Sequence, residues 1–327
     1  MKKALVFGVT GQLGCYSALA LKNAGFDVVA VGRRISDNDF FKDYGIEYIG
    51  DFFSEGKGCY ERLPKYIDVV VNMVGTMSAH TVLNMISYVQ SIVLGTVNIC
   101  EWMKKINCKR IIFNITLSDI ADYWGTATPI DDNAIWSFSK DGNDHAVYAI
   151  CKRAACDILE HMSYVHDIKQ TVFRHFIVYG WHPDSHYFLN GVKKELPWRT
   201  IIRKSINGKS IEVYGNLNRK KELLYIKDFA DAVVHAAKNE ICGMFNLGGY
   251  KPYSLDEMLD GVINAFSLST INKIARPDMP DTPQILLSKK KMADLFGWKP
   301  KWTGEDACLD MRKECIKMPM KKLWREN

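Results

Sequence analysis

The sequence predicts an α/β protein built on a doubly wound parallel sheet, with a smaller C-terminal α/β lobe. Three observations carry this. Short β-branched and apolar runs alternate with helical patterns through the first half, as parallel strands covered on both faces require. A glycine-rich segment, Gly8-Val9-Thr10-Gly11-Gln12-Leu13-Gly14, directly follows the apolar run Ala4-Leu5-Val6-Phe7. After about residue 180 the alternation gives way to prolines and tryptophans (Trp181, Pro183, Pro197, Trp198) and shorter elements.

Residues 3–8 read as a buried strand, and 12–24 as an amphipathic helix ended by Gly25. Asp27 to Val31 is a second strand, closed by Gly32-Arg33-Arg34, and Glu47-Tyr48-Ile49 a short third before Asp51. Asp68 to Val74 is the fourth, closed by Gly75. A long helix is expected over 80–105, a fifth strand over 110–115, a helix from about 145 to 165 and a sixth strand over 169–174. Asp228 to Ala237 reads as a helix returning to the main sheet, and Met244 to Leu247 as one more strand. Pro277, Pro280, Pro283 and Pro300 mark a small lobe over 265–302.

Composition narrows the function classes. With 47% hydrophobic and 24% charged residues the chain reads as an ordinary globular protein. A net charge of +6 is too diffuse for a nucleic-acid partner, and the clusters at 219–221, 289–291 and 321–322 read as solvated surface. Nine cysteines form no CxxC pair, which suits reduced, cytoplasmic thiols better than disulfides or zinc. The histidines form no HExxH, and Pro183 breaks the His182/His186 spacing, so no metal site is expected. Lys2-Lys3 and the short apolar run after them are too brief for a signal peptide, and nothing approaches a membrane span.

Each glycine of the 8–14 segment has its own task. Gly8 permits the tight turn, Gly11 lets the backbone approach phosphates, and Gly14 lets helix and strand pack closely. The helix behind them offers free N–H groups to a pyrophosphate, with Thr10, Gln12 and Leu13 in the same turn. The expected organisation is therefore a dinucleotide-binding Rossmann domain over 1–180, also receiving about 222–250, and a mainly substrate-binding, discontinuous lobe over 181–327. At the end of the second strand Arg33 and Arg34 stand where an acidic residue would hold a ribose diol. Two guanidinium groups suit a 2′-phosphate, so NADP is expected, with NAD as the alternative. Asp51 and Phe52, after the third strand, are placed to hold the adenine edge.

Tyr148 and Lys152 stand four residues apart, one helical turn on one face. Free tyrosine titrates at roughly 10 and is a poor acid–base group at neutral pH. An ammonium one turn away is expected to lower that value. Thr116, after the fifth strand, is the candidate hydroxyl that polarises a substrate oxygen, with Ser118 in reserve.

These residues resemble the extended short-chain dehydrogenase/reductase family, in particular its nucleotide-sugar epimerase/dehydratase branch, over nearly the whole chain. The resemblance rests on the glycine turn, on Val71-Asn72-Met73-Val74-Gly75, and on Gly95-Thr96. It continues in Tyr148 to Asp157, similar to YxxSKxxxE, in Arg174 to Gly180, similar to RxxNVYG, and in Leu223 to Asp228. Gly297-Trp298-Lys299-Pro300 resembles a GWxP near the C-terminus. The resemblance implies catalytic places for Thr116, Tyr148 and Lys152, a cofactor-lining place for Val74 and Gly75, and a substrate-diphosphate role for Arg276. It also implies a homodimer formed through the two long helices. The chain departs from the pattern at Ile177 and Ile92, both usually asparagine, and at Lys221, usually arginine. The function this implies is keto-sugar reduction or 4-epimerisation of a nucleotide sugar, NADP favouring reduction, with dehydration ranked last. A catalytically silent NADP-binding sensor or scaffold of the same fold is the alternative.

Overall fold

The structure, a computed structural model, describes residues 1–75, 85–139, 144–183, 186–189, 192–279 and 281–324. In chain order the first half contains β1 (Lys3–Phe7), α1 (Gln12–Asn23), β2 (Asp27–Val31), β3 (Glu47–Ile49) and β4 (Val69–Asn72). It continues with α2 (Met85–Tyr88), a π-helical segment (Val89–Leu94), α3 (Gly95–Lys105), β5 (Arg110–Thr116), α4 (Asp144–His166) and β6 (Lys169–His175). Then come β7 (Val178–Tyr179), β8 (His186–Leu189), β9 (Val192–Glu195), α5 (Pro197–Ile206), β10 (Ile211–Tyr214) and β11 (Lys220–Lys221). The remainder is β12 (Leu224–Tyr225), α6 (Ile226–Asn239), β13 (Gly243–Leu247), β14 (Tyr253–Ser254), α7 (Leu255–Phe266), β15 (Lys273–Arg276), α8 (Lys290–Phe296) and α9 (Gly304–Lys317).

Seven strands form one parallel sheet in the order β13-β6-β5-β4-β1-β2-β3. Chain order reverses at β1, which lies between β2 and β4. A crevice at the carboxyl ends of strands is where such sheets bind ligands. Gly8 to Gly14 leave β1 at that point, and Val74-Gly75 leave β4 beside them.

Strand pleating divides the core. Ala4 and Val6 of β1 join Val28, Ala30, Phe173 and Phe229 on the face covered by α1 and α6. Leu5 and Phe7 join Val29, Val31, Trp102 and Phe113 on the face of α3 and α4. Each fully buried valine, leucine or phenylalanine among them contributes roughly 1.5–3 kcal/mol by leaving water.

Two elements differ from the sequence expectation. β4 ends at Asn72 rather than Val74, because the Asn72 side chain accepts the Val74 N–H at 3.0 Å and turns the chain. The helix expected over 80–105 runs from Met85 and contains the π-helical segment; residues 80–84 lie outside the described ones.

One buried ion pair fixes the exit from β5. Arg174 of β6 donates to Asp119 Oδ2 through Nε at 3.0 Å, its Nη2 lies 2.9 Å from the same oxygen as an ion pair, and both side chains are buried. Arg174→Met leaves the Asp119 carboxyl without its cation. Urea unfolding should show a loss of about 3–5 kcal/mol; a loss below about 1 kcal/mol would mean the pair does not organise this corner.

Candidate active site

The glycine turn has the shape a dinucleotide needs. Gly8 has φ +79°, and a Cβ there would lie 2.8 Å from the Met73 carbonyl oxygen. A Cβ on Gly14 would lie 2.3 Å from the Gly8 carbonyl oxygen, so α1 packs on this turn only with glycine. Gly11 caps α1 without a side-chain hydrogen bond, and its N–H donates to Gly8 at 3.0 Å. The first N–H groups of α1 therefore start from a bare glycine cap, the arrangement that receives a pyrophosphate. Gln12 reaches toward Gly180, where a Cβ would stand 3.2 Å from its Nε2. Thr10 and Leu13 are half-buried beside it.

Directly after β2, Gly32 opens the segment Gly32-Arg33-Arg34 that has no acidic residue. A Cβ there would lie 2.9 Å from both Thr10 Cγ2 and the Tyr48 hydroxyl, so no carboxylate fits without displacement. Arg33 is exposed. Arg34 is already engaged: its Nη1 donates to the Leu323 carbonyl at 2.9 Å and its guanidinium lies 4.6 Å from the Trp324 ring centroid. Asp51 is exposed, with φ +50° and its N–H on the Arg34 carbonyl at 3.0 Å. The Phe52 ring is buried against Phe7 (5.4 Å) and Tyr60 (5.1 Å), and its N–H donates to the Gly32 carbonyl at 3.1 Å.

Thr116 ends β5, and its Oγ1 accepts the Ser118 N–H at 3.2 Å and lies 3.3 Å from the Ser118 Oγ. Lys152 reaches the end of β4: a Cβ on Gly75 would stand 3.5 Å from its Nζ. Tyr148 and Lys152 share one end of α4, with the Lys152 Nζ 5.9 Å from the Tyr148 ring centroid.

The expected acidification of Tyr148 is not what this structure holds. Burial pushes the phenol above its ordinary value, with Tyr88 adding in the same direction. The ammonium is turned elsewhere. Lys152 donates to the Asn114 carbonyl oxygen at 3.0 Å and to its Oδ1 at 3.3 Å, and lies 4.3 Å from the Phe113 ring centroid. Burial also brings Lys152 itself down to about 7. Desolvation acts on both members of the pair and outweighs their attraction. Sequence reading missed Asn114 and, behind it, His175 at the end of β6, whose Nε2 lies 3.4 Å from Asn114 Nδ2.

At the substrate end the residues stand apart in character. Lys221 donates to the Thr282 hydroxyl at 2.8 Å and is brought down to about 8 by burial and the nearby Arg219. Arg276 is closed on two carboxylates, Asp278 at 2.8 Å and Glu212 at 2.8 Å, which hold it above its ordinary value. Ile177 is exposed, and Ile92 is buried in the π-helical segment beside Gly75.

A doubly wound sheet, a glycine turn at its switch point and a Tyr–Lys pair after β5 define a dinucleotide-dependent enzyme of the extended short-chain type. The model of the NAD dependent epimerase/dehydratase family matches residues 4–248, and the chain belongs to that family. It is 23% identical to the UDP-glucuronate 4-epimerase of Thermodesulfobacterium geofontis, covering 87% of this chain and 83% of that one. Among solved structures it is similar to UDP-N-acetylglucosamine 4-epimerase from Methanobrevibacter ruminantium in complex with UDP-N-acetylmuramic acid (TM-score 0.78, 17% identity, 97% of this chain and 99% of that one). It is also similar to the Bordetella bronchiseptica enzyme WbmH in complex with NAD+ (TM-score 0.76, 19% identity, 98% and 100%).

Proposed function

We propose that this chain interconverts a carbinol and a ketone on a nucleotide-linked sugar, in the manner of a 4-epimerase, using a nicotinamide dinucleotide. The observation that carries the reading is the meeting of Tyr148, Lys152 and Gly75 beside the Gly8–Gly14 turn. Two of the relatives named above are UDP-sugar 4-epimerases, which supports a UDP-sugar substrate and 4-epimerisation rather than net reduction.

The residues fit the dinucleotide. Gly8, Gly11 and Gly14 shape the pyrophosphate turn, and Thr10, Gln12 and Leu13 line it. Val74 and Gly75 border the nicotinamide end, and Asp51 borders the adenine end. When bound, the nicotinamide supplies a hydride acceptor and donor. Tyr148 gives and takes the proton at its phenol oxygen. Thr116 and Ser118 hold the reacting oxygen in place, and Lys152 supports the phenolate once it forms. Lys221 and Arg276 supply cations for the substrate diphosphate.

Two features of the β2 end support the 2′-phosphorylated cofactor. Gly32 leaves no carboxylate to repel a phosphate, and Arg33 is exposed there. Arg33 carries the preference, because Arg34 is tied to the C-terminal turn. The relative from Bordetella bronchiseptica was solved with NAD+, so NAD is the competing cofactor.

The chain pairs with a second copy through α2 and α4. Met85, Ile86 and Ile150 expose 66%, 62% and 46% of their surface on these neighbouring helices, more apolar area than a monomer's helix usually leaves in water. Its nine unpaired thiols suit a reducing, cytosolic compartment, which cell fractionation checks.

Tyr148→Phe should cut turnover of UDP-glucose or UDP-glucuronate at least roughly 100-fold while leaving dinucleotide affinity intact. Wild-type turnover in that variant sinks the assignment. Arg33→Ala should weaken NADP by roughly tenfold or more in calorimetric titration and leave NAD unchanged; equal losses remove the 2′-phosphate argument. Ile86→Glu combined with Ile150→Glu should convert a dimer to a monomer in analytical ultracentrifugation. A wild-type protein that is already monomeric rules the pairing out.

A further inference from the structure

Lys152 is 1% exposed, and its neighbours offer little to hold its charge. On its own helix it faces Tyr148 and Cys156; burial keeps the first above its ordinary value and pushes the second up to about 12, so neither is an anion at neutral pH. Tyr88 stands edge-on to Tyr148 and is a phenol too. The π-helical segment presents Ile92 next to Gly75, an apolar wall. Asp119 is closed on Arg174. Polar contact comes from β5, where both oxygens of Asn114 receive the ammonium.

Asn114 leads to His175. The imidazole Nδ1 lies 2.9 Å from the Phe176 carbonyl oxygen. A carbonyl only accepts, so Nδ1 carries the proton and Nε2 keeps its lone pair. That lone pair faces the Asn114 amide at 3.4 Å and can be met only by its NH2 group. The amide oxygen is thereby turned toward Lys152. Burial and the charge of Lys152 bring His175 down to about 4, so the ring stays neutral and this orientation holds across the neutral range. Strand register supports the geometry: Asn114 pairs with Phe173 and Thr116 with His175 in the β5–β6 ladder.

We propose that Asn114 and His175 are positioning residues for Lys152: the neutral imidazole fixes the Asn114 amide, and the amide oxygen holds the lysine ammonium in place inside an apolar wall. This rests on the reading of Tyr148 and Lys152 given above. A flipped amide would aim its NH2 at an ammonium, and a missing one would leave the main-chain carbonyl as the oxygen within reach.

The proton on Lys152 can be read from stability, without turnover. A lysine whose native pKa lies below its unfolded value binds fewer protons in the folded state between the two values. Unfolding free energy therefore rises with pH in that window, here from about 7 toward 10.5. Urea unfolding is measured between pH 5 and 10 for the wild type and for Asn114→Ala, His175→Leu, the double variant and Lys152→Met. The start of the rise should move down by about one pH unit, tenfold in proton affinity, in Asn114→Ala. His175→Leu should move it the same way, and the double variant no further than Asn114→Ala. Lys152→Met should remove the part of the rise that begins near 7 and leave the part Lys221 contributes from about 8, and adding Asn114→Ala to it should change nothing further with pH. Asn114→Val, which suits a strand, replaces the alanine variant if that one does not fold. The idea is overturned by an unmoved window in the Asn114 variant, or by a shift that persists without Lys152. Turnover separates the two layers: full activity of Lys152→Met would refute the catalytic reading and leave the stability result to judge the network.

Discussion

The buried guanidinium of Arg174 is the interaction on which the corner around the site depends. A charge out of water has to be answered by partners, and Arg174 draws them from three segments. Asp119 comes from the turn after β5, the Asp132 carbonyl (3.1 Å) from further along the same excursion, and Asn246 (3.3 Å) from β13. Asn246 also donates to the Ile130 carbonyl at 3.0 Å. Asp119, Ile130 and Asp132 of the segment after β5 are thus pinned across the carboxyl ends of β6 and β13. Thr116 and Ser118 sit at the start of that excursion, so their placement follows from a pair located one strand away. Burial outweighs Arg174 at Asp119 and lifts its carboxyl to about 6, so the pair keeps its charge at neutral pH and loses it on acidification.

The fold was legible because its signals are local. Apolar runs, glycine closures and the first βα turn lie within a few residues of one another, and β1, β2 and β3 fall where the pattern places them. The spacing of Tyr148 and Lys152 was legible for the same reason. Where the ammonium points was not. Its partner Asn114 lies 38 residues upstream, and His175 lies 61 residues beyond that, brought together only by the β5–β6 ladder. Spacing on a helix shows which side chains share a face, and says nothing of how dry that face is. Dryness decides here, since it raises the phenol and lowers the lysine together.

The paired arginines after β2 make a related point. In sequence they are equivalent. In the fold Arg34 is held by residues 289 positions away, through the Leu323 carbonyl and the Trp324 ring. The same C-terminal turn is fastened to this loop by Asn38, which donates to the Lys322 carbonyl at 3.0 Å, and by Lys322, which pairs with Asp43 at 2.6 Å. Met320 and Leu323 anchor it in the core. A guanidinium stacked on an indole and bonded to a carbonyl has lost the freedom to wrap a phosphate with both Nη groups. Arg33, one residue earlier, keeps that freedom.

Magnitudes also order the cations at the substrate end. The ion pairs of Arg276 with Asp278 and Glu212 face water, where such pairs contribute little, so exchanging a carboxylate for a diphosphate there changes little. Lys221 is half-buried, lies 5.3 Å from the Phe176 ring centroid and has a neutral hydroxyl as partner. The desolvation that brings it down to about 8 also strengthens any anion's attraction to it. With an Ile177 side chain that offers no hydrogen bond, recognition of a diphosphate on the proposed function falls more on the charge of Lys221 than on a bidentate fork. A single ammonium tolerates more variation in phosphate geometry than a guanidinium does.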